Sequence, residues 1–416
     1  MRTTTPSASA GLSTPAGIAL YVGALLGPSL LLLPGLAAGI AGPASVLAWA
    51  VLLGLSGLLA WVFMVLGRTM PDVDGVVGYA RAGIGPAAAR VVGWCFLAGV
   101  ALGAPVVCLI GAAYVADLTG GGPTATVALA AVLLAVVVAM TTTGRAVRGG
   151  VQLALVAVLA LLVTVAVVGA APQARAEHWT PFAPHGWWSI GRAAAVLMLS
   201  FVGWEAISPL VARLRDPGRQ LPRIIGVAFG VTVLIYLGLA VVTVGVLGER
   251  AGAGVPLAEL LDVALGGVGR YLAAGAAVAL TLAATNAYLS GAAELAGRLR
   301  GAGRPVGRDR RLQPVLAGIG LVVLAAVGTG LVSLDALVAV PTAMFVTVYA
   351  VCTAAAVRLT TGATRVTAAV ACVVVVVILG FAGWALLAVA AVVLGALAGG
   401  RRARVRTAPR QLCPQG

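Results

Sequence analysis

Between Leu199 and Pro222 an apolar run is interrupted by Gly203, Glu205 and Pro209, then ends in a basic loop bracketed by Pro217 and Pro222. An unpaired backbone group in hydrocarbon costs several kcal/mol, so broken backbone persists in a bilayer only where it lines a cavity or is buried in protein. A carboxylate at that depth adds roughly 2.5–3.5 kcal/mol. Two such costs at one spot mark a place where a polar solute binds. A second interruption lies in the first apolar run, where Gly27-Pro28-Ser29 precede four leucines and Pro34-Gly35. A half-helix N-terminus offers free N–H groups and partial positive charge, and a half-helix C-terminus offers the reverse. The chemistry implied is recognition and passage of a small polar molecule.

The elements that must hold these breaks are membrane helices. The chain has 416 residues, 61% of them hydrophobic and only 9% charged, far from the roughly 25% charged residues of soluble domains. Twelve runs approach or exceed the ~20 apolar residues that cross a bilayer: 17–41, 44–67, 87–117, 123–141, 150–171, 188–211, 222–247, 267–296, 314–331, 334–357, 364–380 and 382–399. With the amino terminus inside, 23 of the 27 basic residues face the cytoplasm, and only Arg175, Arg192, Arg250 and Arg270 lie outside. That bias over short loops is a positive-inside signal. It predicts a multi-pass protein of the cell membrane with both termini cytoplasmic. The first apolar stretch, followed by eleven more, is read as a retained span and not a cleaved signal.

Composition also excludes classes. A net charge of +15 would suggest nucleic acid in a soluble protein, but here it is distributed by topology, and no nucleic-acid partner is expected. The five cysteines (Cys95, Cys108, Cys352, Cys372 and Cys413) show no paired spacing, so neither a disulfide nor a metal site is read. No cofactor motif is present. The chain has no lysine, so no P-loop exists and primary ATP-driven transport is excluded.

The organisation suggests an internal repeat. The broken first and sixth spans stand five apart, as do the unusually long third and eighth. Each long span has about thirty residues, so at 1.5 Å rise it reaches ~45 Å and must tilt or protrude. Five is odd, so two such units insert with opposite orientation. Paired discontinuous helices in inverted repeats point to a midplane substrate site in secondary transporters. The expected division is a cytoplasmic tail (1–16), a first repeat (17–171), a second repeat (172–357), two further helices (358–400) and a basic tail (401–416). The fold class expected is all-α, with twelve helices in a 5+5 inverted repeat plus two.

The run Phe201-Val202-Gly203-Trp204-Glu205, followed by Asp216-Pro217 and Pro222, resembles the sixth helix and following loop of the amino acid–polyamine–organocation transporters. Gly27-Pro28-Ser29 and Pro34 resemble that superfamily's first-helix break. The wording Phe-Val-Gly-x-Glu-Ala and the short length are most similar to bacterial exporters of methionine and branched-chain amino acids. The resemblance implies a LeuT-like fold and carboxylate contacts at Gly27, Pro28 and Ser29. It implies ammonium contacts at Leu199, Ser200 and Val202 beside Gly203, with Glu205 at the gate as proton sensor. Two positions depart from the pattern. Pro28 has no N–H, and Ser29 stands where the family has glycine but brings a hydroxyl. A plain proline kink is the other reading of this break.

The bland reading of Glu205 is a neutral, hydrogen-bonded packing residue, and Trp204 either caps the pocket or packs between helices. Thr285 and Asn286 lie mid-span in the eighth segment; they either reach the site or proton path or make interhelical hydrogen bonds. Glu294 reads as an i,i+4 partner of Arg298. Asp117, Asp335, His178 and His185 read as solvated, and Tyr114 and Tyr349 as core or interface. Interfacial Trp179, Trp187 and Trp188 and the arginine tail imply contact with membrane lipids. The leading expectation is a permease of small neutral amino acids, proton-coupled through Glu205. A chain without lysine has none to stand in for a sodium ion, and a sodium site of carbonyls and hydroxyls stays open as the other coupling. Uptake of cationic amino acids or polyamines is the alternative, and an integral membrane enzyme or a non-transporting receptor is the reading from other classes. Oligomeric state is not legible.

Overall fold

The computed structural model describes residues 12–70, 75–143, 149–204, 211, 214–252, 254–299 and 312–407. Glu205 and Pro209 lie outside the described residues, as do parts of the loops around 71–74, 144–148 and 300–311. The described chain is helical, and its only extended pairing is an isolated bridge between Leu12 and Leu214.

In chain order the helices are α1 (Thr14–Leu25), α2 (Ser29–Ala41), α3 (Ser45–Thr69), α4 (Gly75–Gly83), α5 (Pro86–Thr119), α6 (Pro123–Thr142), α7 (Gly149–Ala170) and α8 (Trp188–Leu197). They continue as α9 (Pro217–Val242), α10 (Pro256–Leu265), α11 (Val268–Leu299), α12 (Leu312–Gly328), α13 (Leu334–Leu359), α14 (Gly362–Gly380) and α15 (Ala385–Thr407). Among the described residues, eight helical stretches are long and apolar enough to cross a membrane. One of these, Ser29–Thr69, runs through parts of the first and second expected spans. Four shorter apolar helices fall in the first, sixth, ninth and twelfth. This is an all-α polytopic membrane protein.

Proline sets several starts. Pro86, Pro123, Pro217 and Pro256 open α5, α6, α9 and α10, where the missing N–H has no intrahelical partner to lose. Helix α9 begins at Pro217, not at 222 as the span pattern predicts. Asp216 caps it, its carboxylate accepting from the Arg219 amide at 3.2 Å, while the Asp216 amide donates to Gln220 Oε1 at 2.9 Å. This reciprocal cap holds the start of the helix, and Pro222 falls in its second turn. Two short helices, α4 and α10, occupy stretches expected to be loops.

The long helices α5 and α11 pack along each other at the centre. They come close at Gly111, where a Cβ would stand 2.5 Å from the Thr281 hydroxyl, which itself donates to Val107 O at 3.2 Å. α6 and α12 pack on this pair and on each other. A second group joins α1 to α9, α3 to α8 and α9, and α2 to α8. α7 contacts α1, α9 and α11, while α13 contacts α8, α3 and α5. α14 and α15 lie against α13, α3 and α5.

Candidate functional site

The two breaks meet. α1 ends at Leu25 and α2 begins at Ser29, with Leu26-Gly27-Pro28 between them. α8 tightens into a 3₁₀ turn over Met198–Phe201, Val202 is extended, and Gly203 has φ +150°. The extended residue stops the helix, and Gly203 turns the chain against the first break. A Cβ there would lie 2.7 Å from the Ala24 carbonyl oxygen, so only glycine fits both the conformation and the space.

Three tyrosine side chains from three helices replace missing helical hydrogen bonds. The Tyr236 hydroxyl of α9 donates towards both Leu25 O (2.7 Å) and Ser200 O (2.9 Å), so one group ties the two breaks together. Tyr349 of α13 accepts from the Gly203 amide and donates to Phe201 O, both at 3.1 Å. Tyr21 of α1 donates to Trp204 O at 3.1 Å, its ring 5.5 Å from that indole. The Trp204 Nε1 donates to Ser56 Oγ of α3 at 2.7 Å. Trp49 packs on Phe201 and Tyr236 at 5.9 and 5.2 Å. Buried backbone polar groups need such partners, and here they are supplied by side chains.

Among the described residues a few backbone groups at the breaks remain unpaired. At the first break the Gly27 amide donates to Leu25 O, and the Leu30 and Leu31 amides donate to Gly27 O and Pro28 O. Among the described residues, Ser29 alone there keeps an amide without a backbone acceptor. Of the carboxylate contacts expected at Gly27, Pro28 and Ser29, Pro28 has no N–H to give and the Gly27 amide is spent on Leu25 O, which leaves the Ser29 amide. At the second break Ser200 O and Phe201 O are taken, while the carbonyls of Leu199 and Val202 have no side-chain donor among the described residues. The buried Ser200 hydroxyl also has no partner among them. Trp204 is wholly buried and bonded, and it packs between helices.

In α11, Thr285 is buried against the Cys108 thiol of α5, short of hydrogen-bond geometry, so it faces that helix. Asn286 is buried as well. The residue of α11 that reaches the first break is Tyr288. Its hydroxyl would stand 3.7 Å from a Cβ on Gly27, it lies near Tyr236, and its ring is half-exposed. Tyr114 of α5 donates to Leu31 O at 2.7 Å, bracing the start of α2. Sequence pattern alone marked none of these tyrosines as part of the site, and their one signal was a hydroxyl in the middle of an apolar run.

On one face, residues 38–43, 177–185 and 244–250 enclose a vestibule of about 560 Å³. His178 is not simply solvated. It is half-buried, with Nδ1 2.8 Å from Gly245 O in the π-turn Thr243–Leu247 that ends α9. Nor is Asp117 merely solvated: Arg270 bonds Asp262 at 3.2 Å and reaches Asp117 at 3.5 Å, linking α10, α11 and α5. Beside them Glu259 has its pKa raised by burial, against the lowering effect of Arg250 and Arg270. A raised carboxyl favours the protonated form in the folded state. Its cost is therefore absent below the ordinary value of 4.5 and grows as pH rises through the shifted one. Glu259→Gln is expected to raise the melting temperature at neutral pH and leave it unchanged below the ordinary carboxylate range, as read by a pH series of thermal melts.

No group of three or more histidines, cysteines or carboxylates with metal-binding proximity occurs among the described residues. At both breaks buried side chains brace the backbone, and a few amide and carbonyl groups are left open among the described residues. The sequence matches the Amino acid permease family over residues 12–402, and the chain belongs to that family, within the amino acid–polyamine–organocation superfamily. It is 29% identical over 355 residues to an uncharacterised amino acid permease, YecA, of Bacillus subtilis (strain 168), covering 82% of this chain and 84% of that one. It is 30% identical over 286 residues to the L-methionine/branched-chain amino acid exporter YjeH of Escherichia coli (strain K12), covering 67% of each. It is 25% identical over 265 residues to the branched-chain amino acid permease BcaP of Bacillus subtilis (strain 168), covering 59% and 57%.

Proposed function

We propose that this permease is a secondary transporter of small neutral, aliphatic amino acids, coupled to protons and working by alternating access. The observation that carries the reading is the pairing of open groups at the two breaks. The Ser29 amide and hydroxyl suit a carboxylate, and the Leu199 and Val202 carbonyls suit an ammonium. The residues at the two breaks, Leu25, Leu26, Leu30, Leu199, Phe201 and Val202 among them, are apolar or aromatic. A neutral zwitterion matches that complement better than a cationic side chain does. The relatives named for methionine and branched-chain amino acids support the same class, and the exporter among them supports outward movement.

The inverted-repeat arrangement belongs to this proposal, with 17–171 and 172–357 as the two units and 358–400 added. Its support is the symmetry of the packing. α1 on α9 is matched by α8 on α3, α5 on α13 by α11 on α7, and α6 on α11 by α12 on α5. The short helices match as well, α4 lying on α13 and α5 as α10 lies on α7 and α11. The vestibule gathers three stretches that the arginine distribution assigns to the outer side, which supports cytoplasmic termini and a plasma-membrane location.

Counterflow in proteoliposomes tests the reading. Unlabelled methionine, leucine, arginine or putrescine is preloaded, and labelled substrate is followed with and without a pH gradient. Exchange is expected for methionine and leucine and not for arginine or putrescine. Glu205→Gln is expected to flatten the pH dependence. Exchange confined to arginine or putrescine would overturn the substrate class, and an unchanged pH profile would remove Glu205 from the proton path.

A further inference from the structure

Four arginines stand on the vestibule face, the side that the positive-inside bias depletes. Three of them answer to acids. Arg175 is 3.3 Å from Glu177, Arg270 pairs with Asp262 and Asp117, and Arg250 faces Glu259. Arg192 has no acidic partner among the described residues. It lies in the second turn of α8 and lines a cavity of about 150 Å³. Ile40 of α2, Ala336 and Ala339 of α13, and the turn Phe381–Trp384 between α14 and α15 complete that cavity.

The surroundings set its depth in the bilayer. Trp187, Trp188 and Trp384 are 69%, 76% and 54% exposed, and exposed tryptophans cluster at headgroup level. Trp188, one turn before Arg192, packs on Phe381 with ring centroids 5.0 Å apart. The amides of Gly383 and Trp384, both lining the cavity, have no backbone acceptor among the described residues. A guanidinium presents its donors in a rigid fork suited to phosphate oxygens. Here it shares a cavity with Phe381 and Trp384, among the exposed tryptophans that mark headgroup level, with no acidic partner among the described residues.

We propose that this cavity seats the phosphodiester of an anionic phospholipid from the leaflet on the vestibule side. Arg192 is its counter-ion, and Trp188 and Trp384 flank the glycerol. The bound lipid bridges α8, the first half of the second broken helix, to the α14–α15 turn, so membrane composition bears on the position of α8. The inference depends on the membrane placement but not on the substrate class.

Native mass spectrometry of the full, delipidated chain titrated with phosphatidylglycerol reads this directly, without transport. One charge contact near the surface is worth ~1 kcal/mol, so Arg192→Gln is expected to retain the lipid about fivefold more weakly. The exposed, paired Arg175→Gln should leave retention unchanged. Arg192→Lys, which keeps the charge and loses the fork, should fall between, and it serves also if Arg192→Gln does not elute as folded protein. Equal retention by wild type and both Arg192 variants would overturn the proposal. So would displacement of phosphatidylglycerol by inorganic phosphate alone, which would make this a small-anion site.

Discussion

Gly203→Ala is expected to lower transport about tenfold to a hundredfold, and Gly203→Leu to abolish it. The alanine variant must adopt φ near +150° and place its Cβ 2.7 Å from the Ala24 carbonyl oxygen. Ala24 O is backbone in the last turn of α1, so relief requires the two broken helices to part. Backbone strain of this kind costs about 1–3 kcal/mol, and each 1.4 kcal/mol is a factor of ten. The same change at Gly27 is a built-in control, since a Cβ there meets nothing closer than the Tyr288 hydroxyl at 3.7 Å. Counterflow with Gly27→Ala should stay within about threefold of wild type on the same scale. Equal losses at both glycines would mean that the contact between Gly203 and α1 has no special role.

That contrast shows what was legible in the chain and what was not. Both breaks were readable because glycine and proline within an apolar run are costly in a bilayer. The runs placed most helix ends within a few residues, though the last helix continues to Thr407, past the expected 399. Pro217 misled at one boundary, since proline after an aspartate signals a cap as readily as a loop. Helices α4 and α10 were missed because nine or ten residues between two spans look like any polar connection. The tyrosine braces were illegible for a different reason. Tyr236 meets Leu25 O across 211 positions, and the partner is a backbone carbonyl that leaves no mark in the sequence. The same holds for Arg270 and Asp117, 153 positions apart, whose pairing depends on how α5 and α11 cross. At Gly27 and Ser29 the residue types were right, but the number of free amides depended on the tightness of the turn.

Tyr236→Phe is the sharper test of the site, because it keeps the ring and removes one hydroxyl. The ring packing on Trp49 and Phe201 persists, so the volume and apolar burial are those of the wild type. What is lost is the donor shared by Leu25 O and Ser200 O, one at the end of each helix that leads into a break. Leaving a buried acceptor unpaired costs about 1–3 kcal/mol. If the brace holds both half-helices in the substrate-binding arrangement, that energy appears as a loss of apparent affinity. Counterflow should then show substrate binding weakened about tenfold to a hundredfold, with a melting temperature lowered only by a few degrees. A loss of melting temperature with unaltered affinity would make Tyr236 a packing residue and nothing more. The unpaired Ser200 hydroxyl sharpens the distinction. Ser200→Ala removes no hydrogen bond seen among the described residues, so any fall in substrate affinity there, with stability unchanged, reports a contact with the solute itself.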